Sequence, residues 1–255
     1  MSGYNPTFTG VNIPLPTFAA GVPLLKKKSP RIFDQECWRK YIHYSVATNT
    51  VRRQPICVAL NINQKQLKPG TDRDTDWTCD DEIGDQFQLD NDYYKKNDWD
   101  KGHMTRFATS AWGETEKYAK EAGDATMFYS NSCLQHKNLN RDEWLGIEDW
   151  VKDLTEDGND MVSSFSGPIY DDIEGVPART VTPIGRIPAE VPAAFYKIVA
   201  FVDTSGKLST RAFIVLQDPY ALADVRGRRK LKTFQSFQVT TAMIEKKQAS
   251  SSMSH

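Results

Sequence analysis

A chain of 255 residues can bury one large core, and 39% hydrophobic with 25% charged residues excludes a disordered or fibrous protein. The 32 Lys and Arg against 33 Asp and Glu give a net charge of -1, which excludes a protein that holds nucleic acid by bulk charge. A polyanion would need a local basic patch or a metal instead.

Residues 1–30 are rich in Gly, Pro, Thr and Asn and close on Lys26-Lys27-Lys28-Ser29-Pro30, which predicts an extended N-terminal arm lying on the domain. The domain itself is expected over residues 31–247. Two strand-like runs open it, Tyr41 to Val46 and Ile56 to Ile62, joined by a polar turn. A polar connection follows from Gln64 to about Asn97, and a loop of that length in a compact domain is more often functional than idle. A helical period runs from about Arg141 to Leu154. Strand-like runs then recur at Val162 to Tyr170, Phe195 to Val202 and Arg211 to Gln217, the last two joined by a hairpin-type turn over Asp203 to Lys207. The Ser-rich end, residues 248–255, is expected to be a disordered tail. The sum is a mixed α+β fold with a mainly antiparallel central sheet and flanking helices.

No run approaches the roughly twenty apolar residues of a membrane helix. The opening residues also lack the basic-then-apolar order of a secretory leader. No membrane partner is expected, and the protein reads as cytoplasmic or exported without a leader. Cys37, Cys57, Cys79 and Cys133 match no zinc spacing and read as free thiols, with up to two disulfides left open.

Phosphate loops of the Gly-rich kind, GxSxG elbows and HExxH helices are absent from the sequence. Asp72, Asp74 and Asp76 imitate a calcium loop, but its sixth and twelfth positions would be Trp77 and Ile83, where Gly and Glu are required. His43 falls in a strand-like run and reads as structural, while His136 sits in a polar loop with its role open. His103 stands apart in Asp100-Lys101-Gly102-His103-Met104, where Gly lets the backbone pass close to a reacting group. A histidine that titrates near neutrality is a natural general base for activating water. A second group, Asn140, Trp144 and Glu148, is spaced by four and would climb one side of a helix. An amide and a carboxylate on a half-buried face need partners, and a hydrated hard cation would satisfy both. The alternative for Asn140 is a capping box with Glu143.

Taken together, the segments DYYKKNDWDKGHM from Asp92 and FYSNSCLQHKNLNRDEWLGIEDWV from Phe128 resemble the DNA/RNA non-specific endonucleases, the ββα-metal (His-Me finger) nucleases that include endonuclease G. That family carries Asp-Arg-Gly-His, then an Asn, a Pro-Gln pair, a second Asn, a Trp and a Glu. The steps Asn131 to Asn140 (nine), Asn140 to Trp144 (four) and Trp144 to Glu148 (four) follow the pattern. Weaker echoes are Ser166-Gly167-Pro168-Ile169, Phe195-Tyr196-Lys197-Ile198 and Arg211-Ala212-Phe213-Ile214.

The resemblance implies a sugar-non-specific endonuclease that leaves 5′ phosphates on DNA and RNA. It makes His103 the general base, within a catalytic set that includes Asp100. Asn140 becomes the sole direct protein ligand of one Mg²⁺, for which Mn²⁺ could substitute. Glu148 orients metal-bound water, and Asn131 positions His103 or the phosphate. Arg73, ahead of Trp77, is the candidate for an upstream phosphate-binding arginine. Lys101, Arg228 and Arg229 are the expected nucleic-acid contacts, the last two from the basic run Arg226 to Lys232. Three positions depart from the pattern: Lys101 and Lys152 replace arginines, keeping charge but losing the planar fork, and Leu134 replaces the Pro of the Pro-Gln pair. If those changes spoil the site, the chain would be a catalytically weak nucleic-acid-binding or regulatory member of the fold. An inhibitor or regulator protein is a further candidate partner; the acidic stretch Asp72 to Asp100 reads first as a solvated loop, with a docking surface for such a protein as the alternative, and a homodimer stays open.

Overall fold

The computed structural model describes residues 2–68, 72–154, 160–170, 178–217 and 238–239. The chain runs β1 (Phe33–Asp34), β2 (Trp38–Lys40), β3 (Tyr44–Asn49), β4 (Gln54–Asn63), β5 (Trp99–His103), α1 (Phe107–Ser110), α2 (Glu116–Asp124), β6 (Ser132–His136), α3 (Lys137–Arg141) and α4 (Glu143–Asp153). It continues through β7 (Met161–Ile169), β8 (Arg179–Val181), β9 (Ala189–Val191), β10 (Ala194–Val202), β11 (Leu208–Leu216) and β12 (Gln238–Val239). One sheet in the order β1-β2-β3-β4-β7-β10-β11-β12 forms the centre, each strand antiparallel to its neighbours. The fold is mixed α+β. No helix among the described residues is long and apolar enough to cross a membrane.

Strand alternation divides the core in two. In β4, Val58, Leu60 and Ile62 face one side, with Tyr44, Val46, Phe195, Val199 and the α4 side chains Trp144, Ile147 and Val151. Cys57 and Ala59 face the other, with Trp38, Phe165, Ala194 and Tyr196. The N-terminal arm covers that second face: Tyr4 and Leu15 join its core, and Gly3 N donates to Tyr41 O at 2.9 Å. The helices cover the first face, and the site forms there.

Three expectations need correction. His43 is not inside a strand; it occupies the bend before β3 with φ of 68°, a left-handed conformation that histidine tolerates better than branched residues. The helix is not continuous from Arg141: the backbone breaks at Asp142 (φ -120°, ψ -88°), so Asn140 belongs to α3 and Glu148 to α4. The capping box of Asn140 with Glu143 does not form, because Asp142 takes the cap position without a side-chain hydrogen bond. All four cysteines are free thiols.

Candidate active site

The site rests on the antiparallel pair of β5 and β6, joined through α1 and α2 and separate from the central sheet. Two buried glutamines fasten its outer edge to that sheet. Gln54 Oε1 accepts from Leu134 N at 3.0 Å, while Gln217 Oε1 accepts from His136 N at 2.6 Å and its Nε2 donates to Leu134 O at 3.1 Å. Side-chain amides thereby complete the backbone pairing that a neighbouring strand would supply. Gly102 is required for a local reason. A Cβ there would lie 2.4 Å from Gln135 Cβ and Oε1, so the close approach it permits is to the partner strand.

His103 ends β5 and is half-buried, with the Trp77 ring centred 4.5 Å from its own. Its Nε2 is enclosed and has no hydrogen-bond partner. Burial, followed by the charges of Arg73 and Arg106, lowers its pKa from 6.5 to about 3. The imidazole is therefore neutral at neutral pH, the state a base requires. Asn131 is fully enclosed: its Oδ1 accepts from Thr105 N at 3.1 Å and its Nδ2 donates to Thr105 O at 2.7 Å and Thr126 O at 2.9 Å. Met104 N also donates to Asn131 O at 3.0 Å. Asn131 thus braces the backbone just after His103 and is enclosed away from the cleft.

Asp100 accepts from Asn140 Nδ2 at 3.1 Å and, through both carboxylate oxygens, from Arg141 at 2.9 and 3.0 Å. This commits Asp100 to orienting the Asn140 amide. Glu148 is buried on α4, with Lys197 Nζ 3.8 Å from Oε1 and Arg106 Nε 3.9 Å from Oε2. Burial raises the pKa of this carboxyl, and the charges of Lys197 and Arg106 oppose that rise. Lys197 projects from β10, donates to Ser166 Oγ at 2.9 Å and lies 4.5 Å from the Trp144 ring; burial lowers its pKa to about 8.

Of these groups, His103, Asp100, Asn140, Arg141, Arg106 and Glu148 open onto one cleft of about 540 Å³, lined also by Arg73 and Lys101. The spacing across the break at Asp142 therefore still brings Asn140 and Glu148 to the same space. Lys101 sits about 6 Å from the Trp77 and Tyr129 rings at the same wall. Arg228 and Arg229 lie outside the described residues. Sequence reading missed Arg106, which belongs to no motif. It quoted Lys197 without a role, although a lone cation with the same parity as the inward-facing Phe195 and Val199 was a readable signal.

The donor set fits a sparsely held hard cation. Asn140's nitrogen is committed to Asp100, which leaves its carbonyl oxygen as the atom to offer, and Glu148 Oε1 is buried without a hydrogen-bond partner. No group of three His, Cys, Asp or Glu able to hold a metal occurs among the described residues. A hard cation held by so few protein atoms would fill the rest of its shell with water.

The family model of the DNA/RNA non-specific endonucleases matches residues 23–252. The chain belongs to that family. Among relatives of this endonuclease-family chain, an uncharacterized protein of Sinorhizobium fredii is 32% identical over 95% of the chain and 37% of its own length. Mitochondrial Nuclease 1 of Schizosaccharomyces pombe is 29% identical over 66% of the chain and 53% of its own length. Human mitochondrial endonuclease G is 24% identical over 61% and 53%. The chain thus spans about half the length, or less, of these relatives. A crystal structure of the EndoG/EndoGI complex matches with a TM-score of 0.67 at 22% identity, covering 83% of both chains, which places the fold in the same class.

Proposed function

We propose that this chain is a metal-dependent endonuclease that hydrolyses phosphodiester bonds of DNA and RNA to 5′-phosphate ends. The observation that carries the reading is the convergence of a neutral, unpartnered His103, the oriented amide of Asn140 and the buried Glu148 on one cationic cleft. His103 accepts a proton from the attacking water. The water oxygen bonds to phosphorus as the P–O3′ bond breaks, leaving a 5′ phosphate, and the departing 3′ oxygen takes a proton from solvent to become a hydroxyl. Asn140 Oδ1 would hold Mg²⁺, with Mn²⁺ as the substitute, and Lewis-acid stabilisation of the charge on the phosphoryl group and the leaving oxygen is the chemistry that the ion would supply there. Glu148, buried with Lys197 at 3.8 Å and Arg106 at 3.9 Å, orients water from its position on α4. Asp100 keeps the Asn140 amide turned, and Asn131 fixes the backbone that presents His103. Arg73 and Lys101 contribute positive potential toward the substrate backbone.

A nuclease without base specificity is hazardous to its host, which motivates an inhibitor or regulator as protein partner. EndoG in the matched crystal structure is bound to such a molecule. The test of the catalytic reading is cleavage of supercoiled plasmid and of RNA with Mg²⁺ and with EDTA, beside Asn140→Ala. Nicking that disappears in EDTA and in the variant is expected. Intact binding with no cleavage in any divalent metal would replace this reading with a binding role.

A further inference from the structure

Four cationic side chains line the cleft, and Arg106 differs from the other three. Arg141 is exposed and gives Nε and Nη2 to the two oxygens of Asp100, Lys101 lies against aromatic rings, and Arg73 is exposed at the rim. The Arg106 side chain is only 13% exposed. Its Nη2 donates to Asp149 Oδ1 at 2.7 Å. Its Nε is enclosed with no hydrogen-bond partner, because Glu148 Oε2 at 3.9 Å is beyond bonding distance. A buried guanidinium nitrogen without an acceptor is unfavourable unless another anion completes it. The group follows His103 by three residues and initiates α1, so its backbone is fixed beside the base.

We propose that Arg106 grips the substrate's phosphodiester in the cleft, supplying the planar donor fork that Lys101 cannot present. Asp149 anchors the outer nitrogen while the remaining donors turn to the phosphate oxygens. This rests on the nuclease reading, and it is what distinguishes Arg106 from a residue that merely steadies Glu148.

The test uses the full chain and its Arg106→Met and Arg106→Lys variants, with a labelled single-stranded DNA as probe. Binding is titrated in EDTA over a range of KCl, and cleavage is measured separately in Mg²⁺. Loss of one charge-assisted phosphate contact should weaken binding of Arg106→Met about 10- to 100-fold. The slope of log affinity against log salt should fall by about 1. Arg106→Lys should keep the slope, because it keeps the charge, yet cleave at least about tenfold more slowly. Unchanged affinity and slope in Arg106→Met, with only cleavage slowed, would overturn the proposal and leave Arg106 as a support for Glu148. Wild-type cleavage rates in Arg106→Lys would overturn the need for a fork. If the wild-type chain binds but never cleaves while Arg106→Met still loses affinity and slope, the nuclease reading falls and the phosphate contact stands.

Discussion

Two clefts of nearly equal size each contain a histidine packed against a tryptophan, about 540 Å³ around His103 and about 530 Å³ around His43. The similarity ends with the lining. The second is built from Asn5, Phe8, Asn61, Trp112 and Tyr118, and Glu114 is its sole charged side chain among the described residues. His43 stacks on Trp112 with ring centres 3.4 Å apart, and its Nε2 pairs with Trp112 O at 3.1 Å. His103 has a looser aromatic neighbour and an unpartnered nitrogen, and it shares its cleft with four Lys or Arg side chains. Volume and aromatic packing therefore do not separate a structural histidine from the proposed base. The partners of its nitrogens and the charge around it do.

The largest effect that would break the comparison is catalytic. His103→Ala should lower cleavage about 10²- to 10⁴-fold, the usual contribution of a general base. His43→Asn, which tolerates the left-handed backbone, should leave turnover within a few-fold. Plasmid nicking rates for the two purified variants decide this, and equal losses would mean that the clefts do not differ as described.

A second difference lies in the support of each cleft. The connection that carries Arg73 and Trp77 over His103 is tied down by Asp80, which is 4% exposed. Arg39 donates to it from Nε at 2.8 Å and from Nη2 at 3.3 Å, Tyr41 donates its hydroxyl, and Gln88 pairs with its backbone. Removing one partner of a buried ion pair strands the other charge. Asp80→Ala should therefore lower stability by about 3–5 kcal/mol, read as a shift in the urea midpoint. A loss below about 1 kcal/mol would show that Arg39 finds another partner and that the roof of the site is not held this way.

The same contrast explains what could be read from the sequence. The strands of the central sheet were legible, since Ile56 to Ile62 and Phe195 to Val202 are apolar or alternating runs that the sheet buries on both faces. The stripe Trp144, Ile147, Val151 likewise announced α4. The strand pair carrying His103 was not legible as strands. Trp99–His103 and Ser132–His136 show no clean alternation, and their pairing depends on Gly102 against Gln135 and on glutamines some eighty positions away. The break at Asp142 had no Pro or Gly to mark it. Of the site, His103, Asn140 and Glu148 came from spacing and resemblance. Arg106 could not, because a buried guanidinium nitrogen left without an acceptor is a fact of tertiary packing alone.

The smallest predicted effect concerns acid. Burial depresses both histidines, His43 to about 4 and His103 to about 3, the latter assisted by Arg73 and Arg106. In the unfolded chain both titrate near 6.5. Below that value the unfolded state binds protons that the native state refuses, so the stability these neutral rings contribute is present above pH 6.5. It is lost as pH falls toward 4 for His43 and toward 3 for His103. Each ring accounts for one proton, or about 1.4 kcal/mol per pH unit well inside its window. Urea midpoints at pH 7, 5.5 and 4.5 should therefore fall less steeply in His43→Asn than in the wild-type chain, and parallel curves would refute the depressed value. Only His103 should also appear in kinetics. The acid limit of kcat/KM, which reports the free enzyme, should lie below pH 5 and be indifferent to His43→Asn. An inflection near 6.5 would mean that His103 is more open to water than its enclosed Nε2 indicates.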